Sequence, residues 1–154
     1  MFIVKLLIGA LSVVLCLIIA KNKAEYIKER YYYFNSLVNS CDLIKTDLLY
    51  KKRSIREILS VNFQSSDFLQ TLNAYFEDEK WFPSYLTNEE LVLVTEYFSV
   101  LGKGDTTSQI NALTSFKEEF SKIAIEKKKE FEKSYKVTLK VGFSIGIMLF
   151  ILVI

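Results

Sequence analysis

Residues 2–20 read FIVKLLIGALSVVLCLIIA, apolar except for Lys5, Gly9 and Ser12. A run of this length makes a helix of about 28 Å, enough to cross the hydrocarbon core of a bilayer. The other end repeats the pattern: residues 137–154 read VTLKVGFSIGIMLFILVI, apolar except for Thr138, Lys140, Gly142, Ser144 and Gly146. The two runs predict a hairpin that enters and leaves one membrane. Residues 1–20 and 137–154 are the expected transmembrane helices, and 21–136 form a helical bundle on one side.

The central stretch is long enough to bury a core of its own. Apart from Lys5 and Lys140, all the charged residues fall in it, 18 basic and 18 acidic, so it is formally neutral. Nucleic-acid binders carry a basic excess on one face, and nucleic acid is therefore not an expected partner. The chain has no histidine, the usual acid/base near neutral pH and the commonest metal ligand. Cys16 and Cys41, if on one helix, stand about 37 Å apart, too far for a disulfide. The first run has a weak n-region and a poor A-x-A site at Ile18-Ile19-Ala20, so it reads as a retained span and not as a cleaved signal peptide. Lys21, Lys23, Lys28 and Arg30 follow it, and Lys127, Lys128, Lys129, Lys133 and Lys136 precede the second run. By the positive-inside rule the bundle is expected in the cytoplasm and both termini outside; Lys127 to Lys129 read as a topology signal or a lipid-headgroup contact, and membrane lipid is an expected partner.

No glycine occurs between Gly9 and Gly102, and Pro83 is the single proline. With breakers this rare and no sustained alternation, the chain reads as all-α. Ile27, Phe34, Leu37, Cys41, Ile44 and Leu48 form a narrow stripe on a first helix that continues out of the membrane and ends near Tyr50 to Arg53. Ser54-Ile55-Arg56-Glu57 reads as a capping box, Ser65-Ser66-Asp67 as a second start, and Thr87-Asn88-Glu89-Glu90 as a third, with Leu86 and Leu91 as a hydrophobic staple. Leu101-Gly102-Lys103-Gly104 is a glycine stop. The last helix is expected from Asp105–Gln109 to Ile154, with Thr106 and Gln109 as its box and Ile110, Leu113, Phe116, Phe120, Ile123 and Phe131 on one face.

The spans carry small residues at four-residue spacing: Ser12, Cys16 and Ala20 in one, Thr138, Gly142 and Gly146 in the other. Such residues let membrane helices approach closely. Paired antiparallel, Ser12 meets Gly146, Cys16 meets Gly142 and Ala20 meets Thr138. The same register sets Ile27 against Phe131, Phe34 against Ala124 and Leu48 against Ile110, so one helical hairpin runs from the membrane to the tip of the bundle.

No nucleotide loop, nucleophile elbow or metal motif is present. Gly102-Lys103-Gly104-Asp105 lacks the spacing and ending of a phosphate loop. Glu89 with Glu90, and Glu118 with Glu119, are neighbours that point about 100° apart on a helix, a poor arrangement for a shared catalytic site. No catalytic, cofactor or metal residues are expected, and the chain is not expected to be an enzyme. Two charged stretches offer surfaces for a partner: Glu77 to Glu96, with six acids and one base, and Lys51 to Arg56, with four bases. The aromatic run Tyr31 to Phe34 is wider than one helix face needs, which fits packing of the short helices around the stalk or a homo-oligomer contact.

Read as a whole, the chain resembles the stage III sporulation protein AB family, two-span membrane proteins of endospore-forming bacteria. The resemblance rests on Leu86-x-x-Glu89, then Phe98-x-x-Leu101-Gly102-x-x-Asp105-x-x-x-Gln109, then Glu132-Lys133 and a terminal apolar helix, in that order. Lys5 to Ala10, and Asp47-Leu48-Leu49-Tyr50 followed by Glu57, are similar to it as well. Arg53-Ser54 stands where the family usually has Thr-Pro. The resemblance implies a bundle similar to the cytoplasmic domain of the type II secretion platform protein, set in the outer forespore membrane on the mother-cell side. It implies a structural role in a secretion-like channel complex, coupling a secretion-type ATPase to channel membrane proteins. Leu101, Gly102, Asp105 and Gln109 carry the match and are expected either to serve folding, as a helix stop and restart, or to dock a partner; Glu89 and Glu90 of the acidic stretch are the further interaction residues expected. The alternative from the residues is a membrane-anchored sensor or regulator that dimerises through its cytoplasmic helices.

Overall fold

One proline and five glycines interrupt the chain, and among the described residues every regular element is a helix. The structure, a computed structural model, describes residues 2–50 and 53–153. Met1, Ile154 and two lysines of the basic run, Lys51 and Lys52, lie outside the described residues. The order is α1 (Phe2–Tyr50), α2 (Ile55–Ile58), α3 (Ser66–Phe76), α4 (Asn88–Val100) and α5 (Thr106–Val153). The chain divides into two compact units, a terminal one of Met1–Lys28 with Lys127–Ile154 and a central one of Glu29–Glu126. Each takes one part of α1 and one part of α5.

In the terminal unit the two long helices pack antiparallel. Ala20, Ala24, Gly9 and Gly146 are buried between them. Their outward faces are apolar and open: Leu11, Leu15, Ile18, Phe143, Met148 and Ile151 are all at least half exposed. Both helices are long and apolar enough to cross a membrane. Only 17% and 6% of their most apolar stretches are buried, unlike the core helices of a water-soluble protein.

The central unit is built on the same helix pair, with α2, α3 and α4 added to it. The starts are locally encoded. Ser54 accepts from Glu57 N at 3.3 Å, and Ser65 accepts from Phe68 N at 3.0 Å. At α4 the box closes in both directions: Glu90 N donates to Thr87 Oγ1 at 3.2 Å and Thr87 N donates to Glu90 Oε2 at 3.0 Å. Thr87→Ala should lower stability by about 1 kcal/mol. Urea unfolding of the detergent-solubilised chain, followed by fluorescence of its single tryptophan, Trp81, checks this.

The core collects Phe34, Leu37, Cys41 and Ile44 from α1, Phe68 and Leu72 from α3, Val94, Tyr97 and Phe98 from α4, and Leu113 and Phe120 from α5. Across the long helices, Lys45 Nζ donates to Thr114 Oγ1 at 3.0 Å and Lys117 Nζ to Asp42 Oδ1 at 2.7 Å. Both pairs lie within one residue of the register read from the sequence. Phe34 meets the ring of Phe120 at 6.4 Å, one turn from Ala124. The aromatic run splits by face: Tyr33 and Phe34 are fully buried, whereas Tyr31 and Tyr32 are half-buried.

Buried hydroxyls are paired. Ser40 uses its one hydrogen on Leu37 O at 2.7 Å, so Tyr97 donates to Ser40 Oγ at 2.7 Å. Thr71 likewise donates to Asp67 O, which leaves Tyr33 as donor to Thr71 at 3.3 Å. Beside this network, burial and then the Asp42 charge push the Cys41 thiol up to about 12 from 9.0. Burial also raises Tyr33 and Tyr97 above their ordinary 10.0. The sign follows from linkage. The folded thiol stays neutral while the unfolded one ionises, so its contribution is complete below pH 9 and is lost as pH rises toward 12. Stability is expected to fall from pH 9 upward, and Cys41→Ala should flatten the slope between pH 9 and 10, where the tyrosines of the unfolded chain, with an ordinary value of 10.0, are only partly ionised. Denaturant midpoints across that range test it.

Candidate functional site

The turn between α4 and α5 is the most specific local feature of the sequence, and its geometry is set by backbone and caps. Leu101 ends α4 with its side chain buried. Gly102 and Gly104 take φ of 73° and 88°, a region that excludes most side chains. At Gly102 a Cβ would also stand 3.1 Å from Ile55 Cδ1 of α2, so the position is restricted twice over.

Asp105, and not Thr106, caps α5. Its carboxylate accepts from Thr107 N at 3.1 Å, Ser108 N at 3.2 Å and Ser108 Oγ at 2.6 Å. The Ser108 hydroxyl, and then its backbone N–H, hold the Asp105 carboxyl below the usual carboxylate range. A carboxylate at a helix start accepts charge-assisted bonds that a threonine hydroxyl does not match, which explains the shift of the cap by one residue. Gln109 does not reach back to complete a box with Thr106. It is buried, and its Nε2 donates to Lys103 O at 3.1 Å, tying the loop to the first turn of α5.

The six expected interaction residues do not form one patch. Gly102 and Asp105 are exposed at the turn, with Leu101 and Gln109 buried beneath them. Glu89 is exposed at the other end of α4, about 17 Å away along the helix. Glu90 is buried, occupied by the Thr87 box and 3.9 Å from the Arg30 guanidinium, which also sits 5.9 Å from the ring of Tyr85. Its role is to fix α4 against α1.

In the terminal unit the small residues interlock instead of meeting head-on. A Cβ on Gly142 would collide with Ala20 Cβ and lie 3.4 Å from Cys16 O. A Cβ on Gly146 would lie 3.2 Å from Val13 Cα and 3.6 Å from Cys16 Cβ. Each glycine thus sits between two α1 residues about a turn apart, because ridges of one helix fill grooves of the other. Ser12 donates to Gly9 O at 2.7 Å, and Thr138 is half-buried.

Two tertiary clasps in the central unit join residues whose local signals do not mark them. Glu29 of α1 accepts from Ser65 Oγ at 2.6 Å and Asp67 N at 3.2 Å, holding the start of α3. The buried Asp47 accepts from Arg53 N and Nε, each at 2.7 Å, and closes the end of α1. Acids in a charged helix carry no mark of such roles. A groove of about 520 Å³ beside α3 and α4, lined by Phe76, Trp81, Phe82 and Phe98, carries Asp78 and Glu79 against Lys80 and Lys103, so its own rim has no net sign. Among the described residues no group of three His, Cys, Asp or Glu is placed to hold a metal ion.

These features define a class: an all-helical chain whose two long helices are each fit to span a membrane and share a packed helical unit between their apolar ends. Residues 5–154 match the family described as stage III sporulation protein AB, and the chain belongs to that family. No curated protein and no solved structure matches it.

Proposed function

We propose that the chain is a non-enzymatic platform subunit of a secretion-like channel complex between mother cell and forespore, coupling a cytoplasmic secretion-type ATPase to channel membrane proteins. The family match over residues 5–154 carries this reading. It is supported by two helices fit to span a membrane and by a central unit whose most specific turn is a capped helix junction with exposed Gly102 and Asp105. In this reading the central unit faces the mother-cell cytoplasm from the outer forespore membrane, and both termini lie across that membrane.

The test is retrieval of a tagged chain from cross-linked membranes of sporulating cells. The ATPase and a channel subunit should be recovered with it; recovery of neither refutes the platform role. Expression in vegetative cells with ligand-dependent dimerisation would mark a regulator instead. A periplasmic-type phosphatase joined after Ile154 should be active, and activity of a cytosolic reporter there would overturn the orientation.

A further inference from the structure

Folding separates charge that is balanced along the sequence. The terminal unit holds ten lysines and three acids, Glu25, Glu130 and Glu132, a formal charge of plus seven. The central unit holds ten bases and fifteen acids, a charge of minus five. The positive charge is also patterned. Lys129, Lys133, Lys136 and Lys140 follow one another at spacings of four, three and four, so they form a single stripe along α5, and all four are exposed. Because Ala20 packs at Gly142, the exposed Lys21 and Lys23 of α1 fall within about a turn of Lys140 and Lys136 along the pair.

Like charges three and four apart on a helix repel, so a stripe of this kind calls for negative charge from elsewhere. Two exposed acids flank it, Glu130 three residues before Lys133 and Glu132, which lies 3.9 Å from Lys128, so the four lysines keep a positive excess. The stripe is continuous with the apolar band: Lys140 is exposed between the exposed Val137 and Val141. A lysine there keeps its stem in apolar surroundings and extends its ammonium toward the interface. From Lys140 back to Lys133 the stripe covers about 10 Å, close to the depth of a headgroup layer reached by flexible side chains.

We infer that this lysine stripe, with Lys21 and Lys23 beside it, is a binding surface for anionic phospholipid headgroups, so that the protein gathers negatively charged lipid around itself. An acidic protein segment would meet the ammonium groups equally well in water, but the continuity with the apolar band favours a lipid surface. The inference rests on the terminal helices being embedded in a membrane and is independent of any ATPase partner.

The experiment is electron spin resonance of the full chain in bilayers containing spin-labelled phosphatidylglycerol or phosphatidylcholine. Phosphatidylglycerol should associate more strongly by about threefold or more at low salt, and the preference should shrink as salt rises. Lys129→Gln, Lys133→Gln, Lys136→Gln and Lys140→Gln together should bring the two lipids close to parity. The corresponding four Lys→Arg changes should retain the preference, and Lys122→Gln in the central unit should leave it unchanged. Equal association of both lipids with the unsubstituted chain, or a preference untouched by the four Gln changes, overturns the inference. So does abolition of the preference by inorganic phosphate at matched ionic strength, which would indicate a site for free phosphate. Absence of any immobilised lipid, charged or neutral, would remove the membrane reading itself.

Discussion

Replacing Phe120 by alanine is expected to lower the unfolding free energy of the central unit by about 3 to 5 kcal/mol. The ring is fully buried. It stands edge-on to Tyr97 with centroids 5.4 Å apart, stacks on Phe116 at 6.0 Å and meets Phe34 at 6.4 Å. It therefore joins α1, α4 and α5 at one point. Truncation removes the transfer energy of the ring and leaves a cavity that three helices cannot readily close. A domain of this size is stable by roughly 5 to 15 kcal/mol, so the change removes a large share. Denaturant unfolding of the full chain in detergent, read at Trp81, measures it. Val92→Ala on the exposed side of α4 should fall within about 0.5 kcal/mol of the parent. A Phe120→Ala loss below about 1 kcal/mol would contradict the packing.

Gly146→Cys is expected to form a disulfide with the native Cys16. The new Cβ would stand 3.6 Å from that of Cys16, inside the usual disulfide range of roughly 3.5–4.5 Å. Val13 Cα at 3.2 Å must give by a few tenths of an ångström. With Cys41→Ala in the same chain, this pair is the only one available. Adding Gly142→Leu should then abolish the link. At Gly142 even a methyl group collides with Ala20 Cβ, which cannot rotate away. The helix-propensity gain of replacing glycine, up to about 1 kcal/mol, is smaller than an overpacking cost of about 1 to 3 kcal/mol, and the longer leucine pushes the helices apart. Mass measurement under oxidising conditions separates the outcomes. Failure of the Gly146→Cys link, or its persistence beside Gly142→Leu, would show that α1 and α5 do not pack through these glycines.

Much of the fold is legible in the residues because the signals are local. Thr87 with Glu90, Ser65 and Ser54 mark helix starts through bonds to backbone three residues on, and the scarcity of breakers leaves no alternative to helix. The stripe from Phe34 to Ile44 names a true core face. Legibility stops where a neighbour in space decides. Tyr97 reads as an ordinary aromatic of α4, yet it is fully buried because Ser40 accepts from its hydroxyl. Asp105 rather than Thr106 caps α5, since the left-handed turn at Gly104 presents the carboxylate to the first amides. Glu90 reads as the acid of the Thr87 capping box and forms it, but its burial and its approach to Arg30 of α1 come only from the packing.

The sequence alone determined the all-helical class, the two ends fit for a membrane and the family, because apolar run length, capping and the Leu-Gly-x-x-Asp-x-x-x-Gln turn are properties of neighbouring residues. Tertiary structure decided how the glycines interlock and how charge is shared. Folding brings 1–28 beside 127–154, so lysines far apart in the chain join one unit and the acids that balance them fall in the other. Each basic cluster is legible in the sequence; the pairing of the long helices decides that the two stand in one unit.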